Sequence, residues 1–215
     1  MKNLSFQFWF RIFILFCALV LSIFVSRWLK YTPKTRAGNN RMVIVDRNEA
    51  RFIVVGDVGT GNQNQKNVAK AMEKFCQSHP KLTGMILLGD NIYKEGVSST
   101  KDEQWQTKIE SPYGSPCLSQ LDIYPVLGNH DYRGNPDAQI QYTLEKRRWK
   151  MPYRFYSLNI KGLATLVFFD SGFPDMCFLP EYCTVDFMNR ELSQSEQNRT
   201  FVFAHHPIAS ASVKG

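Results

Sequence analysis

The sequence predicts an α/β fold with a binding site along the carboxyl ends of its strands. Three observations carry that reading. Four short apolar runs, Phe52-Ile53-Val54-Val55, Met85-Ile86-Leu87-Leu88, Tyr124-Pro125-Val126-Leu127 and Phe201-Val202-Phe203-Ala204, have the length of buried strands. Stretches of helical periodicity lie between them. Each run is followed at once by polar donors: Gly56-Asp57-Val58-Gly59, Gly89-Asp90-Asn91-Ile92-Tyr93, Gly128-Asn129-His130-Asp131 and His205-His206-Pro207. Open α/β sheets bind ligands at that edge. Four copies of one arrangement do not arise readily by chance.

From the amino terminus, residues 1–30 read as a transmembrane anchor or signal segment. Ile12 to Val25 is apolar apart from Ser22 and lies between Arg11 and Arg27. Phe6, Phe8, Trp9, Trp28 and Leu29 extend it, so a membrane contact through residues 6–29 is expected. No clean small-x-small cleavage site follows, which favours the anchor. Residues 31–50 form a basic linker, with order expected from Met42 to Val45, and the folded domain is 51–215. The formal net charge of +7 belongs to residues 1–51, with nine Lys/Arg against two Asp/Glu; residues 52–215 balance at seventeen of each. A neutral folded part whose basic excess flanks an apolar segment does not suggest a nucleic-acid partner. By the positive-inside rule, the same flank would keep the domain cytoplasmic.

Within the domain, Asn64 to Ser78 reads as a helix with Val68, Ala69, Met72 and Phe75 on one face, ended by His79-Pro80. Residues 100–110 read as helical, as does the stretch from about Pro136 to Arg148. Tyr153–Ile160 and Leu163–Phe169 read as neighbouring strands joined around Lys161-Gly162. Thr184–Leu192 reads as a helix. Of five cysteines, Cys17 lies in the apolar segment; Cys76, Cys117, Cys177 and Cys183 remain, and Cys177 and Cys183 are close enough in sequence to pair. No C-x-x-C pair supports a zinc knuckle.

Carboxylate, amide and imidazole donors together suit first-row transition metals. Asp57 and Asp90, on adjacent strand ends, can approach one ion; a bridging carboxylate would bring two ions to about 3.5–4 Å, the spacing used for in-line attack on phosphorus. Lys146, Arg147, Arg148 and Lys150 read as a solvated helix end, with phosphate attraction as the alternative.

These motifs resemble the calcineurin-like metallophosphoesterase superfamily and, more closely, its purple acid phosphatase branch, of the tartrate-resistant kind. The usual superfamily opening is Asp-x-His, whereas Gly59 stands at its third position here; the branch supplies instead a tyrosine three residues after the bridging Asp, and Tyr93 stands there. Ala138-Gln139-Ile140, Arg148-Trp149, Pro152-Tyr153-Arg154-Phe155-Tyr156 and Phe169-Asp170 extend the resemblance over about residues 51–213. It implies a four-layer α/β/β/α sandwich and hydrolysis of phosphomonoesters by a metal-activated water. It implies Fe3+ held by Asp57, Asp90 and Tyr93, and Fe2+, Zn2+ or Mn2+ held by Asp90, Asn129 and His205. It implies His130 beside the phosphate as a catalytic residue, with Asp131 holding its imidazole. A phosphodiesterase or pyrophosphatase on the same core, and a non-catalytic metal-binding tethered protein, are the alternatives. The family's Gly-His-x-His run has no counterpart among His79, His130, His205 and His206, so a sandwich incomplete at its carboxyl end, as in a fragment, is expected. The branch is mostly secreted or lysosomal, which implies an extracytoplasmic domain.

Overall fold

The computed structural model describes residues 3–31, 41–44, 49–172, 184–193 and 199–207. The chain divides into two units, Met1–Arg36 and Ala37–Gly215. The first holds one helix, α1 (Asn3–Tyr31). Its described side chains, residues 9–23, are all exposed. Among the described residues no helix is long and apolar enough to cross a membrane. The membrane-spanning helix expected within residues 6–29 is therefore not supported.

Among its described residues the second unit carries seven strands: β1 (Arg41–Ile44), β2 (Phe52–Val55), β3 (Gly84–Leu88), β4 (Asp122–Val126), β5 (Tyr156–Ile160), β6 (Ala164–Phe168) and β7 (Thr200–Phe203). Three helices accompany them: α2 (Gln63–Ser78), α3 (Pro136–Glu145) and α4 (Thr184–Ser193). One sheet has the order β2-β3-β4 and is wholly parallel; the other has the order β1-β5-β6-β7, parallel except for the β5–β6 hairpin. The α/β class expected from the sequence is present, with parallel sheets. One strand, β1, lies inside the basic segment read as a linker.

A shared aromatic cluster joins the sheets. The Phe168 ring stacks on Tyr156 at 4.5 Å, on Phe203 at 5.4 Å and on Tyr124 of the other sheet at 6.0 Å. The Tyr156 hydroxyl then donates to the Pro125 carbonyl at 2.8 Å, which removes the cost of burying that hydroxyl. The other face of the larger sheet meets α4, where Phe187 packs on Phe155 at 4.9 Å and Glu191 pairs with Arg41 at 3.2 Å.

Helix α2 begins one residue before the expected Asn64, because Asn62 is the cap: its side chain accepts the Gln65 N–H at 3.1 Å. His79 and Pro80 end it as expected. Its buried face differs from the expected one. Gln65, Ala69, Met72, Glu73 and Cys76 point inward, whereas Val68 and Phe75 are exposed. Two polar residues win buried places because each is fully engaged. Gln65 accepts from Gly61 N–H and donates to the Lys108 carbonyl, both at 2.6 Å. Glu73 accepts from Ser115 Oγ and from the Cys117 and Leu118 N–H groups. Phe75 stacks on His79 instead. A disulfide, Cys76–Cys117, ties α2 to the same loop; Cys177 and Cys183 lie outside the described residues.

Residues 104–110 are helical within the expected stretch, the last five as a π-helical turn. Helix α3 stops at Glu145, and the basic residues beyond it are not all a solvated helix end. The Arg148 guanidinium turns inward and donates to the Tyr113, Leu118 and Leu121 carbonyls, three acceptors that a planar fork satisfies together.

Candidate metal centre

Parallel pairing places the donors. With Val55 opposite Leu87 and Leu88 opposite Val126, strands β2, β3 and β4 end side by side, so Asp57, Asp90 and Asn129 fall in a row. The loop after β3 also carries Tyr93, and the remaining donor comes from the other sheet: β7 ends against the same edge and delivers His205. Contact there is close. A Cβ at Gly89, whose φ is +86°, would stand 2.7 Å from the His205 ring, so a side chain at that position would push the imidazole away.

One carboxylate oxygen each from Asp57 and Asp90, and one ring nitrogen of His205, lie within 4.8 Å of one another. Asp90 is buried at the centre. Its Oδ1 is 3.6 Å from His205 Nε2 and accepts the His130 N–H at 2.9 Å; its Oδ2 is 3.9 Å from His130 Nε2. On one side of it the Tyr93 hydroxyl donates to Asp57 Oδ1 at 2.7 Å. On the other, His205 Nε2 is 3.2 Å from Asn129 Oδ1. The structure thus brings together Asp57, Asp90, Tyr93, Asn129 and His205, as two donor groups sharing Asp90.

Three features prepare these groups. His205 Nδ1 is 2.8 Å from the Leu88 carbonyl, which only an N–H can satisfy, so Nε2 keeps its lone pair toward the carboxylates. Asp57 and Asp90 both adopt left-handed backbone, with φ of 57° and 50°. Such strain in a non-glycine residue persists only where its surroundings hold it, and it concentrates at functional sites. Burial, the hydrogen bond to Asp57 and the nearby Asp90 carboxylate push the Tyr93 phenol well above its ordinary value, so without a cation it stays protonated. Two carboxylates, a phenol, an amide oxygen and an imidazole make an oxygen-rich set with one nitrogen, which fits first-row transition metals.

Gly59 explains the missing histidine at the third position of the first motif. A Cβ there would fall 1.8 Å from the Asn91 carbonyl oxygen. The Gly59 carbonyl also accepts the Tyr93 N–H at 2.8 Å. The loop after β3 therefore lies directly on Gly59, and that approach carries the Tyr93 ring to Asp57. A side chain at 59 is excluded by this path of the loop that carries Tyr93.

His130 stands beside the centre, its ring 4.5 Å from that of Tyr93. Asp131 does not hold its imidazole, contrary to expectation. His130 Nδ1 instead meets the Lys94 carbonyl at 2.7 Å, leaving Nε2 toward Asp90. Asp131 is fully buried, and its carboxylate accepts the Asn91, Ile92 and Gly128 N–H groups and the Gln139 amide. It welds the loop after β3 to the loop after β4. Burial pushes its carboxyl up to about 6 despite those bonds. The carbonyls of Leu88 and Lys94, which orient the two imidazoles, escaped the sequence reading because a main-chain acceptor leaves no residue signature. Lys108 escaped it too: its ammonium donates to the Tyr93 carbonyl and to Gln104 Oε1.

A family model described as calcineurin-like phosphoesterase matches residues 50–214. Purple acid phosphatase 7 of Arabidopsis thaliana is 31% identical over 183 residues, covering 76% of this chain and 55% of its own length. Tartrate-resistant acid phosphatase type 5 of Homo sapiens is 32% identical over 194 residues, covering 77% of this chain and 58% of its own. A solved structure titled "GAP50 the anchor in the inner membrane complex of Plasmodium" matches with a TM-score of 0.64 at 23% identity, covering 77% of this chain and 57% of that one, a likeness of fold. The chain spans about half the length of the curated relatives it matches.

Proposed function

The chain belongs to the calcineurin-like phosphoesterase family, and from that premise we propose that it serves the hydrolysis of phosphomonoesters at a two-metal centre. The observation that carries this reading is the pair of donor groups sharing Asp90, with Tyr93 on Asp57 and His205 beside Asn129. Fe3+ is assigned to Asp57, Asp90 and Tyr93, because a phenolate is a hard, strongly donating ligand. Fe2+, Zn2+ or Mn2+ is assigned to Asp90, Asn129 and His205. When bound, the ions supply positive charge to the ester oxygens and an acidified water.

The chain's own residues do the rest. Asp90 orients both halves through its buried position. His205 presents Nε2 because Leu88 holds Nδ1. His130, with Nδ1 on Lys94, presents Nε2 on the same side as Asp90, where its imidazolium form can donate a proton to a departing alkoxide or to phosphate oxygen.

The test is turnover of phenyl phosphate, a phosphodiester and pyrophosphate by metal-loaded protein. Hydrolysis of the monoester, lowered about 10²–10⁴-fold by His130→Ala with metal content retained, supports the assignment. Preference for the diester or pyrophosphate would reassign the substrate class. Two bound ions with no turnover of any of the three would leave a metal-binding tether. We further assign the domain to an oxidising, extracytoplasmic compartment. The Cys76–Cys117 disulfide supports this, since such bonds persist there and are rare in the cytosol.

A further inference from the structure

His206 is exposed, yet it is held as exposed histidines seldom are. Its main-chain N–H donates to Ser171 Oγ at 3.0 Å, and its Nδ1 is 2.9 Å from the same oxygen. These two bonds to one oxygen fix the ring against the turn at Ser171. His206 Nε2 is left without a hydrogen-bond partner among the described residues, free to meet a group that can both give and accept a proton. Its ring stands 4.9 Å from that of His205, nearly perpendicular to it, at the rim of the donor cluster.

The support under Ser171 is buried and charged. Asp170, the preceding residue, accepts the Tyr132 hydroxyl and the Gly172 N–H. Arg154, fully buried, donates to the Tyr132 hydroxyl at 3.0 Å and to Asp137 at 2.8 Å. Tyr132 is two residues beyond His130, so one network fixes the loop carrying His130 and the turn carrying Ser171. Packing alone could have been met by apolar side chains, since a buried ion pair is weak stabilisation. A charged network is suited to holding a surface group in one place.

Resting on the phosphomonoester reading above, we infer that Ser171 and His206 form a specificity pair in which His206 Nε2 hydrogen-bonds a hydroxyl on the alcohol portion of the ester. The favoured substrates are then phosphomonoesters of alcohols that carry a further hydroxyl near the ester oxygen, over those with a bare aromatic or alkyl group.

The experiment compares glycerol 3-phosphate with phenyl phosphate on the metal-loaded full chain. The ratio of their kcat/KM values should fall about tenfold, as for one lost hydrogen bond, in both His206→Phe and Ser171→Ala. The change should lie in KM for glycerol 3-phosphate, and His206→Gln should recover part of it. Equal losses on both substrates, or an unchanged ratio, would overturn the inference. Calorimetric binding of glycerol 3-phosphate, set against inorganic phosphate, separates this from the wider assignment. Tenfold weaker binding in His206→Phe without turnover in the parent would keep the pair and remove the phosphatase reading. Identical binding by parent and variant, or none by the parent, removes the pair.

Discussion

Tyr93 decides the character of the centre. Its hydroxyl donates to Asp57 and must give up that proton to bind a cation. Iron-loaded protein should therefore show a visible phenolate-to-metal absorption, and Tyr93→Phe should abolish the band while the fold survives. A colourless protein holding two other metals would reassign the site. Asp90 and Asn129 differ in consequence because Asp90 stands between the two donor groups. Asp90→Ala should lose both ions by metal analysis, whereas Asn129→Ala should lose mainly one; single-ion loss in both variants would remove the bridging role. Gly59→Ala probes the steric link. The added methyl meets the Asn91 carbonyl, so the β3 loop must move, at a cost of about 1–3 kcal/mol. Thermal denaturation should show that loss, and the Tyr93 band should weaken with it. An unaltered Tm and an unaltered band would break the link.

At the scale of elements, α2 and the loop at residues 113–118 hold the outer side of the small sheet together through Glu73 and the Cys76–Cys117 bond. Closing a loop of sequence separation 41 is worth about 4 kcal/mol in the chain-entropy account. Replacing both cysteines by serine should lower stability by about 2–4 kcal/mol in urea titration; an unchanged midpoint would make the bond dispensable. Burial raises the Glu73 carboxyl, but hydrogen bonds from Ser115, Leu118, Cys117 and Gln77 outweigh it, so the group lies below its ordinary value of 4.5. A depressed carboxylate contributes stability that is present above its unfolded value and is lost as pH falls through its folded value. Glu73→Gln should therefore cost about 1–3 kcal/mol at pH 7 and flatten the decline in stability below about pH 4.5. A parallel decline in both proteins would show that Glu73 does not titrate with unfolding.

For the whole molecule, the order of the strands is what makes a centre from scattered motifs. Four donors arrive from one parallel sheet and the fifth from the other, and the aromatic cluster around Phe168 fixes the two sheets against each other. The oxidising compartment is testable at this scale. In cells, Cys76 and Cys117 should resist alkylation until a reductant is added, because the bond joins them. Immediate labelling of both would place the domain in a reducing compartment and overturn that assignment.

The sequence by itself determined the strands that end in donors, the helix after the first of them, and the donor runs at their ends. These are local matters: a short apolar run and the glycine or histidine that stops it are read from neighbouring residues. The choice of Tyr93, and of His205 over His206, comes instead from the family resemblance, and β1 reads as linker. Contacts between distant segments were not legible. That Asp131 welds two loops rather than orienting His130, that Arg148 turns inward, that Gln65 and Glu73 take buried places ahead of Val68 and Phe75, and that Ser171 holds His206 all depend on which main-chain groups lie opposite. Most buried polar groups find a partner, and that partner is set by packing across the fold. Only the tertiary structure decides it.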